Sequence, residues 1–130
     1  MKIIFTFLVL SFMTVPAFAQ TQLDMVKSAQ ADYFKADKKL NETYKQIQTI
    51  YRKDSRFLRD LKQAQLAWIK FRDLQVALKY PTKIGMSSAT PMCRFNYIRE
   101  LTEQRRAELR HWTDPVAEGD VCTGTIQTRQ

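Results

Sequence analysis

Three observations predict an all-α fold, a small antiparallel three-helix domain with an extended C-terminal tail. Long stretches repeat apolar residues at helical spacing, and the breaks between them carry turn residues or prolines. No stretch alternates apolar and polar residues in the way a half-buried strand does.

The first twenty residues, "MKIIFTFLVLSFMTVPAFAQ", belong to a different class. Lys2 precedes an apolar run from Ile3 to Val15, and Ala17-Phe18-Ala19 then forms the small-x-small pattern at which a signal peptidase cuts. The run is shorter than the ~20 residues that span a bilayer, and no cysteine follows it to take a lipid. The expected organisation is a signal peptide over 1–19, a helical domain over 20–112 and a tail over 113–130. The mature protein is expected to be periplasmic or secreted, with no membrane span after cleavage.

Met25, Ala29, Tyr33, Ala36, Leu40, Tyr44, Ile47 and Tyr51 follow one another at steps of three and four, with no Gly or Pro between them. They predict one long helix over 23–51 with Asp24 as its N-cap. Asp54 and Ser55 suit a turn and a second cap. Phe57, Leu61, Ala64, Trp68 and Phe71, widened by Leu58, Ile69 and Val76, predict a second helix over 55–80. It ends against Pro81, which disfavours helical backbone in the residue before it. The short connection makes this helix the antiparallel partner of the first. "PTKIGMSSATP" reads as a loop, and Thr90-Pro91 opens a third helix as cap and first-turn proline. Phe95, Ile98, Leu101, Arg105, Leu109 and Trp112 carry that helix to Trp112. The remainder has no period and predicts an extended tail, tied down only through Cys122.

Twenty-one basic against thirteen acidic residues give a net charge of +8. The tail runs the other way, with Asp114, Glu118 and Asp120 against Arg129. Two readings stay open for this charge, solubility and a preference for anionic partners such as envelope polymers or lipid head groups. Nucleic acid is not expected: there is no phosphate-cradling glycine loop and no aromatic-bearing sheet for bases. Arg52, Lys53, Arg56, Arg59 and Lys62 crowd the turn between the first two helices. Two readings stay open for them, a solvated helix end and an anion-binding patch flanked by Tyr51 and Phe57.

Catalysis, cofactor binding and metal binding are not expected. His111 is the one histidine; it stands near a helix C-terminus, where it meets free carbonyls, with no Ser or Cys nucleophile placed beside it. Acid pairs such as Glu100–Glu103 lie on an arginine-rich helix and read as ion pairs. Cys93 and Cys122, in an oxidising compartment, predict a disulfide. It would close a loop of about 30 residues and stabilise by roughly 3–4 kcal/mol on a chain-entropy argument.

"AQLAWIKFRD", residues 64–73, makes Trp68 and Phe71 core anchors and sets Arg72 on the Trp68 face beside Asp73. Arg105 interrupts the apolar stripe of the third helix, which aims a second guanidinium inward. With Asp37, Asn41, Tyr44 and Gln65 as partners, these residues read as an interhelical polar network that fixes helix register rather than as a ligand site.

"ADKKLNETY" (36–44), "AQLAWIKFRD" (64–73) and "ELTEQRRAEL" (100–109), in that order, resemble the three motifs of the LprI-type lysozyme-inhibitor domain. The resemblance spans about 21–112, with the acidic "EGDVC" tail also similar. It implies a small secreted helical protein that binds and inhibits lysozyme without catalysing a reaction. The alternative is an envelope protein that binds an anionic polymer or another protein through its basic hairpin tip. The chain departs from the family in its cysteines: Ser28, the Val76–Leu78 region and Tyr97 stand where cysteines are usual. A Cys93–Cys122 bond would be a substitute staple.

Overall fold

A computed structural model of the chain describes residues 17–81, 87–119 and 121–128, with side chains from residue 21 onward. Helix α1 spans Ala17–Ile50, α2 spans Ser55–Lys79 and α3 spans Thr90–Leu109, continued by a 3-10 turn over Arg110–Trp112. No strand is assigned among the described residues; the tail carries an isolated parallel bridge between Val116 and Thr128. The predicted all-α class and the three helices are therefore present. The signal-peptide expectation rests mostly on residues 1–16, outside the described residues. Helix α1 begins seven residues before Asp24, which lies inside the helix and caps nothing.

The turn over 51–54 is closed by Tyr51 N–H donating to the Ile47 carbonyl and Asp54 N–H donating to that of Tyr51, both at 2.9 Å. Asp54 caps α2 as expected, its Oδ1 accepting from the Phe57 N–H at 2.9 Å. That bond satisfies one of the donors a helix start leaves open. At α3 the cap falls one residue earlier than expected. Ala89 is the N-cap and Thr90 the first helical residue, with Pro91 in the first turn, where its missing N–H costs nothing.

α2 runs back from the tip, and α3 returns beside α1 in the same direction as α1. The register shows this: Tyr33 lies 6.3 Å from Phe95 ring to ring, Ala36 shares a cleft with Arg99 and Glu103, and Thr43 shares one with Arg106. α1 packs closely along α3, while α2 is held at wider spacing from both. Small residues explain the difference. Ala29, Ala36 and Thr43 are all buried and recur every seventh position, and Thr102 of α3 is wholly buried level with the interval between the last two. Short side chains let two helix backbones approach. The two threonines satisfy their own hydroxyls, donating to the Lys39 and Ile98 carbonyls one turn back.

The apolar core lies toward the tip. Leu40, Ile47, Tyr51, Leu61 and Leu109 form it, with Tyr44, Phe57, Leu58, Trp68 and Trp112 packed around it. The buried face of α2 differs from the expected stripe. Leu61, Gln65, Arg72 and Val76 point inward, whereas Ala64 is exposed and Phe71 is 53% exposed. The helix is turned by about one residue, because Gln65 and Arg72 find polar partners inside that Ala64 and Phe71 do not need. Met25 is also exposed, since α1 extends past the other helices at its N-terminal end.

The expected cysteine bridge is absent: Cys93 and Cys122 are not bonded to each other. Cys93 sits in the first turn of α3, and about 24 Å of helix rise separates it from Leu109. The tail leaves from that opposite end. It is also not simply extended: Val116 N–H donates to the Gln127 carbonyl at 3.0 Å, so the chain doubles back on itself. Gly119 and Gly124 supply the positive φ values, 95° and 58°, that this reversal uses. The Trp112 indole N–H reaches the Thr125 hydroxyl at 3.4 Å.

Overpacking the close interface is expected to be costly where trimming α2's outer face is not. Ala36→Leu should destabilise by about 1–3 kcal/mol, and Phe71→Ser should stay within about 0.5 kcal/mol of the parent. Chemical denaturation of the two variants checks both.

Candidate functional site

Between α2 and its neighbours lies a layer of charged groups arranged around Trp68. The Arg72 guanidinium donates from Nε and Nη2 to Asp73 Oδ1, both at 2.9 Å, and its Nη1 lies 3.9 Å from Asp37 Oδ1. Asn41 donates to the other Asp37 oxygen at 3.0 Å. From α3, Arg105 donates through Nε to Gln65 Oε1 at 3.2 Å and through Nη1 to Glu108 at 2.9 Å. Both guanidinium carbons stand over the Trp68 ring, at 5.2 Å for Arg72 and 5.9 Å for Arg105. A ring face attracts cations through its quadrupole, more strongly where water is excluded. Of the residues expected in the network, the structure joins Asp37, Asn41, Gln65, Trp68, Arg72, Asp73 and Arg105. Tyr44 instead packs against the apolar core. Glu108 joins the layer through Arg105, as the reading of the acids on this arginine-rich helix as ion-pair partners expects.

The hairpin tip gathers the remaining features. Arg52, Lys53, Arg56, Arg59 and Lys62 are all exposed, and among the described residues Arg56 alone of the five is ion-paired, loosely, at 4.0 Å from Asp60. Because α1 and α3 are parallel, their C-terminal carbonyl ends both arrive here. Cations at those ends offset the aligned helix dipoles, which gives Arg52, Lys53, Arg106 and Arg110 a role in the fold. Beside the tip a cavity of about 590 Å³ opens between the first turns of α2, the end of α3 and the tail. Its apolar wall is Phe57, Leu61, Leu109 and Trp112, and Asp54, Asp60, Arg56 and Arg105 reach its edge. Nothing in the sequence periodicity signalled this cavity, because it needs the tail folded back to bring Thr125 to its rim.

Tyr51 stacks on Phe57 with ring centroids 4.0 Å apart. Burial pushes its phenol up from its ordinary value, and the nearby Gln127 backbone N–H offsets part of the rise. The hydroxyl completes no hydrogen bond among the described residues. Burial likewise raises Tyr33; the Arg72 guanidinium opposes that rise and the Asp37 and Asp73 carboxylates add to it. His111 is exposed in the 3-10 turn. Among the described residues no group of three or more His, Cys, Asp or Glu could hold a metal ion, and no helix is long and apolar enough to cross a membrane.

Arg72→Leu is expected to lower stability by about 1–2 kcal/mol, the worth of its charged hydrogen bonds less the screening at the exposed Asp73. Thermal unfolding measures it. Both raised phenols hold their protons more tightly folded than unfolded, so their contribution is fully present below the unfolded value of 10.0 and is lost as pH climbs through the folded values. Melting temperature should therefore be flat near neutrality with respect to these groups and fall in alkali. Tyr51→Phe removes one of the two raised phenols, so it should show a shallower alkaline fall than the parent.

With this geometry in place, comparison with known proteins gives a consistent result. The family described as Lysozyme inhibitor LprI matches residues 15–109. An uncharacterized protein of Rhizobium meliloti (strain 1021) is 35% identical over 103 residues, covering 71% of this chain and 73% of the relative. No solved structure matches. The matched span takes in all three motifs, the Trp68 layer and the hairpin tip, and the chain belongs to the LprI lysozyme-inhibitor family.

Proposed function

We propose that the protein is an exported, non-catalytic binding protein that inhibits lysozyme and so protects the cell wall. Family membership over residues 15–109 is the observation that carries the reading. Export is supported by the Lys2, Ile3–Val15 and Ala17-Phe18-Ala19 pattern, with residues 1–19 as the removed segment and the protein periplasmic or secreted. Inhibition of this kind needs a surface that docks a protein partner. The tip end offers one: an apolar cavity walled by Phe57, Leu61, Leu109 and Trp112, with Asp54 and Asp60 at its edge. An apolar pocket rimmed by polar groups is the usual form of a binding-energy centre. Animal-type lysozymes are basic, so these carboxylates and Glu118 of the tail supply the attractive part of the approach, against the chain's own positive charge.

Titrating the purified protein into lysozyme acting on cell-wall substrate tests this directly. Lysis should slow in a saturable way, and Trp112→Ala should weaken the effect by about ten-fold or more, the range of an interface anchor. Undiminished lysis at large molar excess removes the inhibitor reading.

A second reading rests on the exposed and mostly unpaired cations of the tip. Arg52, Lys53, Arg56, Arg59 and Lys62 suit an anionic envelope polymer. It requires retention on peptidoglycan or anionic envelope extract that weakens as salt is raised. Neutralising Arg52, Arg56 and Arg59 together should abolish that retention.

A further inference from the structure

The arginines from α3 into the 3-10 turn differ in how they are held. Arg94 donates to the Tyr80 carbonyl at 3.0 Å, Arg99 pairs with Glu103 at 3.3 Å, Arg105 with Glu108 at 2.9 Å and Arg110 with Asp114 at 3.4 Å. Arg106 has neither an ion pair nor a hydrogen bond from its side chain among the described residues, and its Nε is buried. Leaving such a donor unsatisfied is unfavourable, more so when the group is charged. Arg106 lies in a cleft of about 660 Å³ between the C-terminal halves of α1 and α3.

The rest of the cleft is built from hydrogen-bonding groups. Gln46 and Thr49 face it from α1, and Arg110, Thr113 and Asp114 face it from the end of α3. Its one carboxylate is already engaged, since Asp114 accepts from Arg110 at 3.4 Å and from the Thr113 hydroxyl at 3.3 Å. Among the described residues, the charge in the cleft without a carboxylate partner is therefore that of Arg106. A planar guanidinium presents a fork of donors that matches the two oxygens of a carboxylate or phosphate. Arg106 lies in the last turn of α3, where the helix carbonyl ends oppose an anion, but a charged bidentate contact favours it by more than that opposition.

We propose that the α1–α3 cleft is an oxyanion-binding site, in which Arg106 grips a carboxylate or phosphate group and the Gln46 side-chain amide completes its shell, the Thr49 hydroxyl beside it being spent on the Lys45 carbonyl. The site is distinct from the apolar cavity and from the exposed cations of the tip, and it does not depend on whether lysozyme is inhibited. Its volume admits an oxyanion carried on a larger molecule.

The test follows the arginine Nε–H signals of the full chain by ¹⁵N NMR while inorganic phosphate or succinate is added at constant ionic strength. The Arg106 signal should move saturably with one of the two, and the anion that saturates at lower concentration identifies the source as phosphate or carboxylate. Followed instead through the Gln46 side-chain amide signal, which both variants retain, binding should weaken about ten-fold in Arg106→Gln, the worth of one charge-assisted hydrogen bond, and Arg106→Lys should keep part of it. Lys38→Gln, on the exposed face of α1, should leave it unchanged. If Arg106→Gln fails to fold, Gln46→Leu at an exposed position of α1, read through the Arg106 signal, provides the same comparison. Linear drift of the Arg106 signal in step with exposed Arg59, with either anion, overturns the proposal.

Discussion

The close approach of α1 to α3 governs how the rest of this molecule is arranged. Ala29, Ala36 and Thr43 on one helix and Thr102 on the other remove the bulk that usually holds helices apart. Two helices so close leave a shallow seam for the third, and α2 fills it with long side chains. Trp68, Arg72 and Gln65 reach across a wider gap than leucines would bridge. The charged layer is thus a consequence of the tight pair: a spacer whose polar heads find partners because the gap is wide enough to hold them.

A layer of this kind is an unusual place to look for stability alone. Replacing a buried ion pair by well-packed apolar residues is often neutral. Here the acids are partly exposed, with Asp37 at 34% and Asp73 at 57%, so desolvation is mild and geometry matters more than energy. Arg72 touches α1 and α2, Arg105 touches α2 and α3, and both meet over one indole. A shift of α2 by one residue would separate the contacts that cross between helices, Arg72 with Asp37 and Arg105 with Gln65 and Trp68, which is how such a layer selects a register.

Much of the architecture was legible in the sequence, and the reasons differ by element. Long uninterrupted three-and-four spacing marked α1, and Asp54, Pro81 and Pro91 marked the ends of its neighbours. Inward-facing Arg105 was readable because it stands in the apolar stripe of its helix, and Arg72 because it lies four residues from Trp68 on the same face. The face of α2 was misjudged at Ala64 and Phe71 because periodicity ranks residues by apolarity and cannot see that Gln65 and Arg72 have partners waiting. The cysteine pairing differs for a related reason: composition says that two thiols exist, while only the folded tail, held at the C-terminal end of α3 by the Val116–Gln127 and Trp112–Thr125 contacts, keeps Cys122 away from the first turn of that helix. The Arg106 cleft is made by two helices distant in sequence, so no local pattern announces it.

The parallel pairing of α1 with α3 has a kinetic side. In a simple up-and-down bundle each new helix packs best on the one just made. Here the intervening hairpin, α1 with α2, is the more loosely packed pair, and the tightest interface joins segments about sixty residues apart in sequence. Closing so large a loop carries an entropic cost before any contact repays it. A chain emerging from its N-terminus therefore acquires its best interface last, and the domain is one in which order arrives with the final helix rather than growing turn by turn.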